Sequence, residues 1–141
     1  MQIIVADSKQ EILDHFSIRG RVFINEQNVP WEEEYDHNDY TATLFNAYDD
    51  EKVVGAARLY AGKIGRIAVL SDYRGQGIGS SLVERCEKAA VEQGFTKVKL
   101  AAQLESIPFY EKLGYAFYGD IFLDAGIPHR NMKKLLETPD A

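Results

Sequence analysis

The sequence predicts a mixed α/β domain, and three observations carry that reading. Several short apolar runs of strand length, separated by turn residues, occupy the first half of the chain. Two segments, one near the N-terminus and one beginning at residue 78, repeat apolar residues at helical spacing. Finally, 141 residues with 45% apolar and 27% charged side chains suffice for one core without disulfide or metal staples. No internal repeat, low-complexity tract or Pro/Ser-rich linker divides the chain, so residues 1–141 are read as a single domain.

Residues 2–6 form a short apolar start that reads as a strand. Asp7 and Ser8 are suited to cap a helix over residues 8–23, in which Ile12, Leu13, Phe16, Ile18 and Val22 supply an apolar side. Pro30 closes that segment. The acidic, aromatic residues 31–40 show no clear period and are expected to be a loop or irregular turn. Residues 41–48 and 52–60 flank the turn Asp49-Asp50-Glu51 as a hairpin, and Ala61-Gly62 leads into a third run over 63–70. Such short turns favour antiparallel neighbours.

Beyond residue 70 the pattern changes. Residues 71–79 are rich in glycine and polar side chains. Ile78, Leu82, Val83, Cys86, Ala89 and Ala90 then follow at helical spacing through Gln93, with Gly94 as the stop. A strand over 95–102, a short helix over 105–113 ended by Gly114, and strands over 115–119 and 130–136 complete the order β-α-β-β-β-α-β-α-β-β.

Composition excludes several function classes. The 16 basic and 22 acidic residues leave a net charge of −6, which argues against nucleic-acid binding through a basic surface. Cys86 is the sole cysteine, so neither a disulfide framework nor a multi-cysteine zinc site can form. Residues 36–40 fail the calcium-loop pattern at its third ligand and lack the glycine after it, and no metal is expected. No apolar run approaches the roughly 18 residues of a membrane helix. The start MQIIVADSKQ lacks the basic region and apolar stretch of a secretory signal. A cytoplasmic protein without membrane or nucleic-acid partners is expected.

The most informative segment is Arg74-Gly75-Gln76-Gly77-Ile78-Gly79-Ser80, between a strand and an amphipathic helix. Glycines there let backbone N–H groups approach a ligand closely, and the helix N-terminus adds partial positive charge. The combination suits phosphate or pyrophosphate, with Arg74 as a charged donor. A dinucleotide fingerprint counted from Gly75 fails at Ser80, and no lysine precedes Ser80 or Ser81 as a Walker loop requires.

R-G-Q-G-I-G matches the Q/R-x-x-G-x-G/A signature of the GNAT N-acetyltransferase superfamily at Arg74, Gly77 and Gly79. F-Y-E-K-L-G-Y (residues 109–115) is similar to the motif after the next strand in those enzymes, and the order of elements agrees over nearly the whole chain. V-F-I-N-E-Q-N-V-P (residues 22–30) and G-I-P-H (residues 126–129) resemble a bacterial subgroup of small GNAT proteins.

The resemblance implies a mostly antiparallel central sheet with flanking helices, splayed between the fourth and fifth strands. It implies acetyl-coenzyme A as acyl donor, with its pyrophosphate on the backbone of Arg74, Gly75, Gln76, Gly77, Ile78, Gly79 and Ser80. The pantetheine arm would lie along Ile67, Ala68 and Val69, near Phe109 and Tyr110. Gln103 stands at a position that is often Asn in the family. The implied partners are acetyl-CoA and an amine acceptor, in a monomer or homodimer.

Acetyl transfer to an amine requires a neutral nucleophile, a stabilised oxyanion and a leaving thiolate. No Ser/His/Asp set or nucleophile elbow is present, and Cys86 falls on the apolar side of its helix, so direct attack in a ternary complex is expected. Tyr110 is the candidate acid for the thiolate. Glu26, Glu34, Asp36, Asp39, Glu105 and His129 are the candidate bases, with Glu26 and His129 foremost. Residues 26–39 hold six acids and no Lys or Arg, so Glu26, Glu34 and Asp36 read either as a negative mouth for a cationic amine or as a solvated loop. Two other readings remain: a GNAT domain that binds CoA as a sensor, and an acyl-homoserine-lactone synthase-like enzyme, which R-x-x-V-F (Arg19, Val22, Phe23) resembles.

Overall fold

The computed structural model describes residues 1–137. Seven strands form one sheet: β1 (Gln2–Val5), β2 (Thr43–Asp49), β3 (Lys52–Tyr60), β4 (Lys63–Val69), β5 (Lys97–Gln103), β6 (Ala116–Asp124) and β7 (Ile127–Leu135). Their order is β1-β2-β3-β4-β5-β7-β6, and every neighbouring pair is antiparallel except β4 and β5. The helices are α1 (Lys9–Arg19), α2 (Trp31–Glu34), α3 (Ile78–Glu92) and α4 (Ile107–Lys112).

Ser8 caps α1 in a full capping box with Glu11, as the sequence suggests. Beyond Arg19 the helix widens into a π-helical turn, Gly20–Glu26, an irregularity that frequently accompanies function. Residues 31–40, expected to be a loop or irregular turn, form the short helix α2 and a 3₁₀ turn, His37–Tyr40, capped by Asp36. No apolar period marks them because polar contacts hold them. The last two strands run further than expected. They meet at Ala125-Gly126, both at positive φ (52° and 75°), which is the backbone of a type I′ hairpin turn without its usual Asn-Gly.

The interior strand β3 is covered on both faces, and most of its residues are apolar without alternation. On one face Phe45, Ala57, Leu59 and Ile64 pack on Leu82, Val83, Cys86 and Ala90 of α3. On the other, Ala56 and Ala68 meet Ile18 and Val22. The helices therefore sandwich the sheet, and Cys86 is a core residue whose thiol burial pushes up to about 12.

Among the described residues, no helix is long and apolar enough to cross a membrane.

Candidate functional site

The site begins where β4 and β5 part. Their parallel pairing is confined to Lys63 and Lys99, and the strands then diverge. Opposite Ala57 on β3, the strand β4 carries the extra residue of a bulge. There Arg66 stands at φ +53°, a left-handed backbone that is uncommon for a side chain of this size. A bulge bends its strand and increases twist, and here it accompanies a cavity of about 630 Å³ between the strands. Ile67 lines it from β4, Ala101, Ala102 and Gln103 from β5, Tyr110 from α4, and Ile127 and His129 from β7.

At the end of β4 the chain enters the glycine turn. Gly75 (φ +79°) and Gly77 (φ +84°) are both left-handed, and a Cβ on either would project into open space. Gly77 is the N-cap of the 15-residue α3, whose first turn has neither a side-chain cap nor an acidic residue. Its first N–H groups and the positive end of its dipole are thus left for an external anion. Gly79 has different surroundings. A Cβ there would touch the Phe109 ring at 3.4 Å, an ordinary contact between the start of α3 and α4.

Arg74 folds back over the end of β4. Its Nε donates to the Val69 carbonyl at 2.9 Å, and its two Nη groups donate to the Glu26 carboxylate at 2.7 and 2.8 Å. The hydrogen bonds and charge of Arg74 hold the Glu26 carboxyl below its ordinary range.

Tyr110 meets Phe109 and Tyr115 edge-on. Burial, with the nearby Cys86 adding to it, pushes its phenol up to about 12, so it stays protonated at neutral pH. His129 pairs across the ladder with Gln103, which places both on the cavity end of the sheet. Its Nδ1 lies 2.7 Å from the Ile127 carbonyl. In the neutral ring that contact places the proton on Nδ1 and makes Nε2 the acceptor.

Of the six acids of residues 26–39, Glu34, Asp36 and Asp39 are paired with arginines, whereas Glu32 and Glu33 are exposed. Arg19, fully buried, donates to Glu34 at 2.8 Å and to Asp39 at 2.7 Å. Arg58 donates to Asp36 and Asp39, and Arg66 to Glu34 and Asp36. Three guanidinium groups thus match three carboxylates. Burial pushes Glu34, only 3% exposed, above the usual carboxylate range despite its arginines. Asp39 is also desolvated, yet Arg19 and Arg58 hold it below that range. His15 completes the cluster as the neutral imidazole. Nδ1 lies 3.2 Å from the Phe45 carbonyl and Nε2 lies 3.2 Å from an Arg19 nitrogen. Burial first, then the Arg19 charge, lowers it to about 4.

Residues 4–136 match the family model described as an acetyltransferase (GNAT) domain. The chain belongs to the GNAT acetyltransferase family. It is 41% identical to the uncharacterised N-acetyltransferase YjcF of Bacillus subtilis over 139 residues, spanning 95% of this chain and 99% of that protein. A Lactobacillus plantarum protein superposes with a TM-score of 0.88 at 26% identity, over 96% of this chain and 98% of the other. An acyl-CoA N-acyltransferase from Pseudomonas aeruginosa does so with 0.84 at 26% identity, over 95% and 99%.

Within this GNAT fold, the cavity gathers Ile67, Gln103, Tyr110, His129, Glu34 and Asp36. Glu26 lies outside the cavity lining and faces the glycine turn instead. Glu105 is likewise absent from the lining, and Ala68 is enclosed in the core. Sequence reading missed Arg58 and Arg66 altogether, and took Arg19 only as part of a motif. A signal was present: Arg58 and Arg66 interrupt the apolar runs KVVGAARLY and KIGRIAV, and a charge inside a covered strand requires a buried partner.

Proposed function

We propose that this GNAT enzyme transfers an acetyl group from acetyl-CoA to a primary amine, of a small molecule or a peptide, by direct attack within a ternary complex. One observation carries the reading. The uncapped N-terminus of α3, with Gly75 and Gly77 opening space above it, stands at the end of a strand that separates from its neighbour. That arrangement suits a ligand with a pyrophosphate at one end and an extended amide-bearing arm at the other.

The backbone of residues 74–80 would hold the pyrophosphate, with Ile78, Gly79 and Ser80 offering first-turn N–H groups. The parted edge of β4 at Ile67, Ala68 and Val69 and the amide of Gln103 would hold the arm. Acetyl-CoA supplies an activated acyl carbon and a thiolate leaving group. The cavity volume of about 630 Å³ falls in the range typical of small-molecule sites.

His129, with Nε2 free to accept, is the group best placed to take the ammonium proton of the acceptor. The Glu26 carboxylate is a weaker base than an ordinary one because Arg74 stabilises its charge. Tyr110 faces the leaving group as a donor. With its phenol at about 12 and a thiol near 8.5, full ground-state transfer of the proton would be uphill by about 5 kcal/mol. Tyr110 therefore serves the thiolate chiefly through a hydrogen bond, and the proton the amine loses ultimately neutralises the sulfur.

Isothermal titration with acetyl-CoA, followed by an amine panel read by free-thiol release, tests the proposal. Micromolar binding and acceptor-dependent release are expected. Failure to bind acetyl-CoA would overturn it.

A further inference from the structure

Two consecutive residues at the end of the π-helical turn reach to opposite sides of the β4–β5 parting. Glu26 takes both Nη groups of Arg74, which follows β4. Gln27, through Oε1, accepts from Nε2 of Gln103 at 2.8 Å, at the end of β5. Gln103 is the side chain that the proposed function assigns to the arm, and Arg74 is the charged donor beside the backbone that it assigns to the pyrophosphate. Arg74 also caps the Val69 carbonyl, a backbone acceptor on the path of that arm. Thus the polar groups that would greet the donor are engaged by residues 26 and 27.

We propose that Glu26 and Gln27 form a strap across the donor channel, and that acyl-CoA opens it by exchange. Arg74 passes from the Glu26 carboxylate to the pyrophosphate, and Gln103 passes from the Gln27 amide to an amide of the arm. The strap thereby sets donor affinity without touching the reacting atoms. The inference rests on the acyl-CoA reading of the same site.

The physical terms permit the exchange. The Glu26–Arg74 pair is 43% exposed on both sides, and an exposed ion pair is weak and screened by salt. A pyrophosphate offers the same guanidinium two charges, together with the N–H groups of α3. The Gln27–Gln103 contact trades one neutral hydrogen bond for another. The π-helical backbone beneath the strap is a less regular ladder than an α-helix, which suits a segment that shifts.

The test is calorimetric affinity for three ligands, CoA, ADP and pantetheine, measured on the wild type, Glu26→Gln and Gln27→Ala. Glu26→Gln should tighten CoA and ADP about twofold to fivefold and leave pantetheine unchanged. Gln27→Ala should tighten CoA and pantetheine and leave ADP unchanged. The gain in Glu26→Gln should shrink at high salt, and it should vanish in the background of Arg74→Gln, which itself weakens CoA. Melting temperatures confirm that each variant is folded.

Weaker or unchanged CoA binding in both variants would overturn the strap while leaving the acyl-CoA reading intact. Loss of CoA binding by the wild type would overturn that reading itself.

Discussion

Replacing Gly77 by alanine separates backbone strain from ligand contact, because the molecule contains its own control. Gly77 stands at φ +84° and Gly94 at φ +91°, at opposite ends of α3, and a Cβ on either meets no atom within 4 Å. Neither alanine clashes, so each pays only for a left-handed backbone, roughly 1 kcal/mol. For a chain of this length both variants should melt about 3–5 °C below the wild type.

They should differ in binding. Relaxing φ at residue 77 turns the peptide that precedes Ile78 and misdirects a first-turn N–H, while the new methyl enters the space above it. Losing one charge-assisted hydrogen bond costs roughly 1.5–3 kcal/mol, so Gly77→Ala should bind acetyl-CoA roughly tenfold to a hundredfold more weakly. Gly94→Ala should bind as the wild type does. Calorimetric titration and thermal melts on the two proteins decide the matter. Equal affinity in both variants, with equal melting temperatures, would refute the assignment of the anion cradle to the start of α3.

Other expectations are as direct. Tyr110→Phe should reduce turnover about tenfold or more with donor affinity nearly unchanged, because only the hydroxyl is lost; steady-state kinetics beside calorimetry would show it. Arg19→Met should leave the buried Glu34 with Arg66 alone and Asp39 with Arg58 alone and cost about 3 kcal/mol, read as a fall of roughly 10 °C in melting temperature. His15 gives a pH signature. Its folded value of about 4 lies below the ordinary histidine value of 6.5, so the unfolded chain binds the extra proton first. Its contribution is therefore fully present above pH 6.5 and is lost as pH falls from there towards 4. The loss amounts to about 3 kcal/mol. Glu34, pushed the other way, works with the opposite sign, so the comparison to make is wild type against His15→Gln. Denaturant melts across that window should show a shallower acid loss in the variant.

The succession of elements along the chain, the capped first helix, the glycine turn and the amphipathic α3 were legible in the sequence because local rules create them. Periodicity marks Ile78 to Ala90 as one buried face, and Gly75 and Gly77 are tolerated residues for a left-handed turn whatever surrounds them. Tyr110 and Gln103 were singled out differently, through the resemblance of their surroundings to motifs of the family.

The meaning of the acidic stretch was not local. Glu34, Asp36 and Asp39 look alike in the sequence, but arginines 19, 58 and 66, from a helix and two strands, pair with all three only in the folded chain. Likewise, only the folded chain brings Glu26 to Arg74 across 48 residues and Gln27 to Gln103 across 76. Short-range propensity writes secondary structure into adjacent residues. Ion pairing acts through space, in a low dielectric that exists only after the core has closed, and for that reason the electrostatics of this site belong to the tertiary structure alone.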